Sequence, residues 1–329
     1  MKKKIFFFEK KELTKILKLK INKFLKAEIL ASICRLNTLS MIKRAGSGHI
    51  GTSFSAMDLF VWIKFFRFKT SKSELKNLNR NIFFSSKGHD APALYSVLYG
   101  LDIIDLKKIL NLRRLGGLDG HPDVSIPGIE SNTGSLGMGI SKGKGFLWAK
   151  KYLKKKGNVV LIVGDGEFQE GQIFESLQTA AHQKLNDLIV IMDHNKIQSS
   201  QYVNKIVDLR DLKKKISSFG WHVERCDGHN FKKLDSIFLK FLKIKNKPKF
   251  LIADTIKGKG VDFMEHTNVM KFNKYYNWHA GAPNENNFQR AQSILLTQIK
   301  ILQKKIKLNK LKITDITPKE TNQNNIEIH

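Results

Sequence analysis

At 329 residues, with 41% hydrophobic and 10% aromatic residues, the chain can bury a sizeable core and is excluded from the disordered class. Its net charge of +29 invites a nucleic-acid role, yet only nine of the 58 basic residues are arginine and the lysines are spread along the whole chain, so no nucleic-acid partner is expected. Cys34 and Cys226 match no metal-ligand spacing and read as thiols of a reducing compartment.

The chain opens on Met1–Lys4 and only four apolar residues, Ile5 to Phe8, too few for the core of a signal peptide. No later run approaches the roughly 18 apolar residues of a membrane span, so a cytoplasmic protein without a membrane partner is expected. Leu13, Ile16, Leu17, Ile21 and Leu25 lie at helical spacing and predict a surface helix within a basic extension over 1–27. Glu28–Arg44 reads as an amphipathic helix, and glycine and serine punctuate Ala45–Gly51. Met57–Phe68 is an apolar helical run, Arg80–Ser85 holds a short buried strand, and Ala91–Tyr99 is a helix. Arg113–Ser131 carries Gly116, Gly117, Gly120, Pro122, Pro127 and Gly128 and is a loop. Ile140–Lys154 is a helix after the glycine-rich Gly134–Gly139.

Asn158–Val163 is a continuous apolar strand, as expected when helices cover both faces of a parallel sheet. Glu170–Gln183 has helical periodicity and Leu188–Met192 is a second apolar strand. A right-handed crossover makes the two strands parallel. Further strands are predicted at Trp221–Cys226 and Phe250–Asp254, with a helix over Phe231–Leu242 between them. The fold class is α/β, a parallel sheet flanked by helices, with its main domain over 28–300. From about Leu302 the chain turns polar, and 301–329 is expected to form a frayed tail.

Gly164-Asp165-Gly166 follows the first central strand and Asp193-His194-Asn195 follows the second. One strand–helix–strand unit therefore returns Asp165 and Asn195 to the same carboxyl edge of the sheet, where open α/β proteins bind ligands. The flanking glycines allow close approach of an anion, and the next helix offers its N-terminal amides. Asp165, the Asn195 amide oxygen and the Ile197 carbonyl suit magnesium, which completes its shell with phosphate oxygens and water. A dinucleotide fingerprint is disfavoured because Gln169 stands at the third glycine position.

These motifs sit within an ordered series: Ser47-Gly-His49, Ser86-Lys-Gly-His89-Asp-Ala-Pro-Ala-Leu-Tyr95, Gly120-His121-Pro122, Gly134-Ser-Leu-Gly-Met-Gly139, Glu167-Phe-Gln-Glu-Gly171 and Trp278-His279-Ala-Gly-Ala-Pro283. Over roughly residues 28–285 the chain resembles the N-terminal, thiamine-diphosphate-binding half of transketolase. The resemblance implies that His89, Gly166 and His279 hold the diphosphate, with Gly164 at the cofactor, and that Asp165, Asn195 and Ile197 hold magnesium. It places Gly134 and Leu136 against the aminopyrimidine–thiazolium junction, and His49, His121 and His279 toward the reacting carbons of a ketose donor. Glu170, with Glu175, matches acidic positions that link paired cofactor sites at the subunit interface.

No second half follows in this sequence, so the resemblance implies the N-terminal subunit of a split transketolase. Its partner would be a separate C-terminal subunit in a heterotetramer with two copies of each, acting on sugars or sugar phosphates of carbohydrate metabolism. Deoxyxylulose-phosphate synthase-like and 2-oxoacid decarboxylating components are the rival enzymes, and a degenerate regulatory subunit is the non-enzymatic one. His182, His194, His222, His266 and His329 carry no site signal. Asp227-Gly-His229-Asn reads as a strand-to-helix turn with Asp227 or Asn230 capping the next helix. Lys257-Gly-Lys-Gly260 lacks the P-loop spacing and reads as a glycine turn beside the site.

Overall fold

A computed structural model describes residues 4–318 of the chain. After a two-residue strand, β1 (Phe6–Phe7), come helices α1 (Lys10–Lys18), α2 (Lys23–Ala45) and α3 (Ile50–Val61), the last running on into a π-helical turn over Trp62–Arg67. Strand β2 (Ile82–Ser85) is followed by α4 (Ala91–Gly100), α5 (Leu106–Leu110) and α6 (Gly139–Tyr152). Then β3 (Val159–Gly164), α7 (Gly171–His182) and β4 (Leu188–His194) form the expected strand–helix–strand unit. A small hairpin, β5 (Ile197–Gln198) and β6 (Gln201–Tyr202), and helices α8 (Val203–Ile206) and α9 (Leu212–Ser218) lead to β7 (His222–Asp227), α10 (Phe231–Lys243) and β8 (Lys249–Asp254). Helices α11 (His266–Phe272) and α12 (Glu285–Lys305) and strand β9 (Thr314–Asp315) complete the described chain.

Strands β2–β3–β4–β8–β7, in that order, make one parallel sheet. Because side chains alternate along a strand, the apolar runs divide between two cores. Val160 and Ile162 of β3 and Ile189 and Ile191 of β4 face the core built by α2, α3, α4, α10 and α12. Val159, Leu161 and Val163, with Leu188, Val190 and Met192, face the core of α6, α7 and α9. Both faces are therefore dry, which is why these strands show no polar alternation. The register pairs Gly164 with Asp193, and His194 with Asp254, so the residues after β3, β4 and β8 emerge side by side at one edge.

The helix expected to be amphipathic over Glu28–Arg44 is instead buried on all sides from Ile29 to Ile42. Its polar residues survive burial because each finds a partner. Arg35 makes a bidentate pair with Asp58 of α3 (2.6 and 3.0 Å). The Asn37 side chain accepts from the Phe8 N–H (2.8 Å) and donates to the Phe8 carbonyl (2.9 Å). That clamp explains a second difference. The N-terminal segment is not one surface helix: Phe7 and Phe8 are fully buried, and α1 buries Leu13 and Ile16.

The third difference is at the other end. Beyond Leu302 the chain does not fray within the described residues. It buries Ile306, Leu311 and Ile316, and β9 pairs antiparallel with β1 (Phe6 with Asp315, Phe7 with Thr314). Residues 319–329 of the expected tail lie outside the described residues. Helix α12, which no sequence pattern announced, is capped by Asn284 and buries Phe288, Ala291, Leu295 and Ile299 in the same core as α2.

Candidate active site

A cavity of about 280 Å³ opens at the carboxyl edge of β2, β3 and β4. Its lining contains His49, His89, His121, Gly134, Leu136, Gly164, Asp165, Gly166, Asn195, Ile197 and His279. Eleven of the residues singled out above thus converge on one space, from segments up to 230 positions apart in the chain (279 − 49). Glu170 at the start of α7 and Glu175 within it are exposed and do not line the cavity. Leu136 is 40% exposed at the mouth.

Asp165 directly follows β3 and is buried, with its carboxylate accepting from the Gly166 N–H (2.8 Å) and the Lys196 N–H (2.5 Å). Burial pushes its carboxyl pKa up, and among the described residues no Lys, Arg or His lies within ion-pairing distance of it. A buried carboxylate without a cation is costly unless a cation is supplied. Two neutral oxygens stand in the same cavity. Asn195 turns its amide nitrogen to Asp193 (3.1 Å) and to Ser55 Oγ (3.3 Å), which assigns Oδ1 as the free-electron side; Oδ1 also accepts from the Ile197 N–H (3.1 Å). The Ile197 carbonyl accepts from Lys257 Nζ (3.0 Å). Among the described residues no group of three His, Cys, Asp or Glu side chains is arranged to hold a metal ion by itself. One carboxylate, one amide and one carbonyl are the donor set of a hard cation that keeps other ligands of its own, and they fit magnesium carried with a diphosphate.

Four histidines surround the remaining space. The His49 ring lies 5.2 Å from those of His89 and His279 and 6.4 Å from that of His121, centroid to centroid. Burial first, then neighbouring cations, lowers His49 to about 4 and His279 to about 3, and holds His89 well below its ordinary range. Neutral imidazoles can both accept and donate protons. His89 Nδ1 donates to the Lys87 carbonyl (2.8 Å), which fixes its tautomer and leaves Nε2 as the free nitrogen. His49 Nδ1 is buried without a partner, a group that a bound molecule can satisfy. Space for that molecule depends on glycine. At Gly88 (φ +68°) a Cβ would lie 2.6 Å from the Gly134 nitrogen, and at Gly134 (φ +128°) it would strike the His121 ring at 2.6 Å.

Two lysines without a role in the sequence motifs also stand here. Lys87, between Ser86 and His89, donates to Asp193 (2.5 Å), Thr52 Oγ1 (2.8 Å) and Asp90 (3.2 Å). Burial works against its charge, but Asp193 and Asp90 outweigh it and hold the ammonium well above its ordinary range. Lys257 does stand in a glycine turn, since a Cβ at Gly258 (φ +83°) would meet the Met264 carbonyl at 2.0 Å. Its Nζ nevertheless reaches the cavity, 3.3 Å from both the Ser199 carbonyl and His279 Nδ1, and burial lowers it to about 7. Behind it, His266 Nδ1 accepts from the Lys257 N–H (3.1 Å). The signal that could have found both lysines is a lone cation inside a glycine-rich motif next to cavity histidines.

The other histidines lie apart. His182 is exposed, His194 pairs with Asp254 (2.8 Å), and His222 pairs with Glu224 (2.8 Å). His229 bonds to Asp58 (2.5 Å) and accepts from the Ile256 N–H (2.9 Å), while Asn230 caps α10, as expected of a strand-to-helix turn. His329 lies outside the described residues.

Residues 26–286 match the family model described as transketolase, thiamine diphosphate binding domain. The chain belongs to the transketolase family. It is 32% identical over 271 residues to one of the subunits of the apulose-4-phosphate transketolase of Phocaeicola vulgatus, covering 82% of this chain and 94% of that protein. It is 35% identical over 237 residues to a 6-deoxy-6-sulfo-D-fructose transketolase subunit of a Clostridium species, covering 71% of this chain and 86% of that one. Human transketolase is 31% identical over 237 residues, but the chain spans only 38% of it. The transketolase structure from Campylobacter jejuni shares the fold, with a TM-score of 0.75 at 24% identity, over 87% of this chain and 47% of that one. Over its matched residues the chain corresponds to the N-terminal subunit of a thiamine-diphosphate-dependent transketolase, a transferase.

Proposed function

We propose that this chain supplies the metal- and diphosphate-binding half of a transketolase active site, which becomes competent when a second chain adds the pyrimidine-binding half. The observation that carries this reading is the buried, cation-free Asp165 sharing one cavity with the Asn195 amide, the Ile197 carbonyl and four histidines. In it, Asp165, Asn195 and Ile197 hold magnesium, and Gly164, Gly166, His89 and His279 hold the diphosphate. Gly134 and Leu136 bear on the ring system. Bound thiamine diphosphate supplies the electron sink that carbon–carbon cleavage of a ketose requires. His49, His121 and His279 then bind the sugar hydroxyls and exchange protons with them, work to which His49 and His279 are suited because burial holds their imidazoles neutral.

The reaction proposed is transfer of a two-carbon ketol unit from a ketose to an aldose, in the cytoplasm and within carbohydrate metabolism such as the pentose phosphates. The relatives of similar length are named for a ketose phosphate and a sulfonated ketose, which supports an anionic ketose as donor. Glu170 and Glu175, both exposed on α7, are offered to a partner rather than to the cofactor, and the assembly proposed is a heterotetramer with two copies of each chain. The test is reconstitution. The chain alone should show no ketol transfer, and mixing it with a companion bearing the pyrimidine-binding half, thiamine diphosphate and magnesium should restore it. Full activity of the chain alone would defeat the proposal.

A further inference from the structure

Glu167 follows the metal turn and is 3% exposed. Its carboxylate makes three hydrogen bonds, to three separate segments of the site. Oε1 accepts from Ser86 Oγ and from the Gly137 N–H (2.9 Å), and Oε2 accepts from the Gly164 N–H (2.9 Å). Ser86 opens the segment carrying Lys87 and His89, Gly137 closes the loop carrying Gly134 and Leu136, and Gly164 precedes Asp165. Among the described residues no other single side chain in the cavity has hydrogen bonds to all three segments.

The two backbone partners can only donate and the Ser86 hydroxyl can donate, so both oxygens face donors, an arrangement that a carboxylate satisfies in full. Burial pushes the Glu167 carboxyl up, while Ser86, Gly164 and Gly137 pull it down. Among the described residues it has no ion-pair partner; its charge is met by three hydrogen bonds, with the field of the nearby Lys87 ammonium behind them. A glutamine here has the same shape but the wrong polarity. Its amide nitrogen must face either the Gly164 N–H or the pair formed by Ser86 and Gly137, leaving a backbone donor opposed to a donor at a buried position.

We propose that Glu167 is the positioning residue of the cofactor site: one buried carboxylate ties the diphosphate, ring-facing and metal-binding segments into a single preorganised cradle. It acts through those segments and not on the reacting atoms. The inference rests on the reading of the cavity as a thiamine diphosphate site, but the pin itself exists in the free chain and can be tested there.

The measurement is amide hydrogen exchange on the full chain without cofactor, comparing wild type with Glu167→Gln and Glu167→Ala. Loss of charge-assisted bonds should speed exchange about 10- to 100-fold over 86–89 and 134–139. Strands β4 and β8 should keep wild-type rates, which separates local release from global unfolding. Formate fits the space left by Glu167→Ala and restores a carboxylate, so it should slow exchange in that variant and leave wild type unchanged. With the companion chain and magnesium, calorimetric affinity for thiamine diphosphate should fall in both Glu167 variants and recover with formate only in Glu167→Ala. Unchanged exchange over both segments would overturn the pin. Faster exchange in the variants, beside a wild-type complex that binds no thiamine diphosphate, would instead retain the pin and refute the cofactor reading. Should Glu167→Ala not fold, Glu167→Gln decides on exchange alone.

Discussion

Burial sets the behaviour of the ionisable residues in this chain, and two cases show it acting in opposite senses. Asp165 is buried with no ion-pair partner among the described residues, a liability in the free chain that a bound metal would relieve. Asp165→Ala should abolish magnesium-dependent binding of thiamine diphosphate to the reconstituted complex, and calorimetry showing unchanged affinity would remove Asp165 from the metal site. Lys64, in the π-helical turn, is equally buried, with its Nζ 5.5 Å from the centre of the Phe83 ring and no ion pair among the described residues. Burial is the main cause that lowers it from 10.5 to about 8, against the opposing pull of Glu130. The unfolded chain therefore holds a proton that the folded chain lacks between those values, so this group makes stability rise with pH across that window. Lys64→Met should accordingly stabilise the fold at pH 7 by up to about 3 kcal/mol. The gain should shrink by pH 10; urea unfolding at the two pH values checks both its sign and its slope.

At the scale of elements, the unexpected feature is the pairing of the two ends of the described chain. Strands β1 and β9 contain two residues each, too few to persist alone. They hold because Asn37 clamps the Phe8 backbone and Phe7 and Phe8 bury completely. Phe7→Ala should cost about 3–5 kcal/mol, seen as a lower denaturation midpoint with unchanged far-ultraviolet circular dichroism; a loss below about 0.5 kcal/mol, the range of surface substitutions, would show that the ends are not structurally integrated. Elements with strong local signals were readable in advance. Strands β3 and β4 are unbroken apolar runs, and α7 and α10 keep helical periodicity. Helix α2 misled because its polar residues Arg35, Asn37, Thr38 and Ser40 look like a solvent face, whereas Asp58, Phe8, Pro92 and Phe6 receive them inside the core. Those partners lie far away in sequence, so no local pattern announces them.

Across the whole molecule, the described residues contain no helix long and apolar enough to cross a membrane. Apolar side chains are nevertheless exposed beside the cavity mouth, with Leu136 at 40% and Met138 at 37%. They adjoin the ring-facing loop, where a pyrimidine-binding partner would have to sit. Met138→Glu should leave the midpoint of the isolated chain nearly unchanged and weaken assembly with the companion chain, read by analytical ultracentrifugation. Assembly at wild-type affinity would place the partner elsewhere.

The sequence by itself determined the parallel α/β class, the edge of the sheet at which the cavity opens, and eleven of the residues lining it, because those rest on strand periodicity and on motifs contiguous in the chain. Glu170, expected at a subunit interface that links paired cofactor sites, stands exposed at the start of α7, outside the cavity. Lys87, Glu167 and Lys257 emerged only in three dimensions, since what matters about each is burial and the identity of its donors and acceptors. The carboxylate of Glu167 illustrates the difference. In sequence it is one acidic residue after a glycine; in the fold it meets Ser86, Gly137 and Gly164 at once, and only tertiary structure brings those three donors to one point.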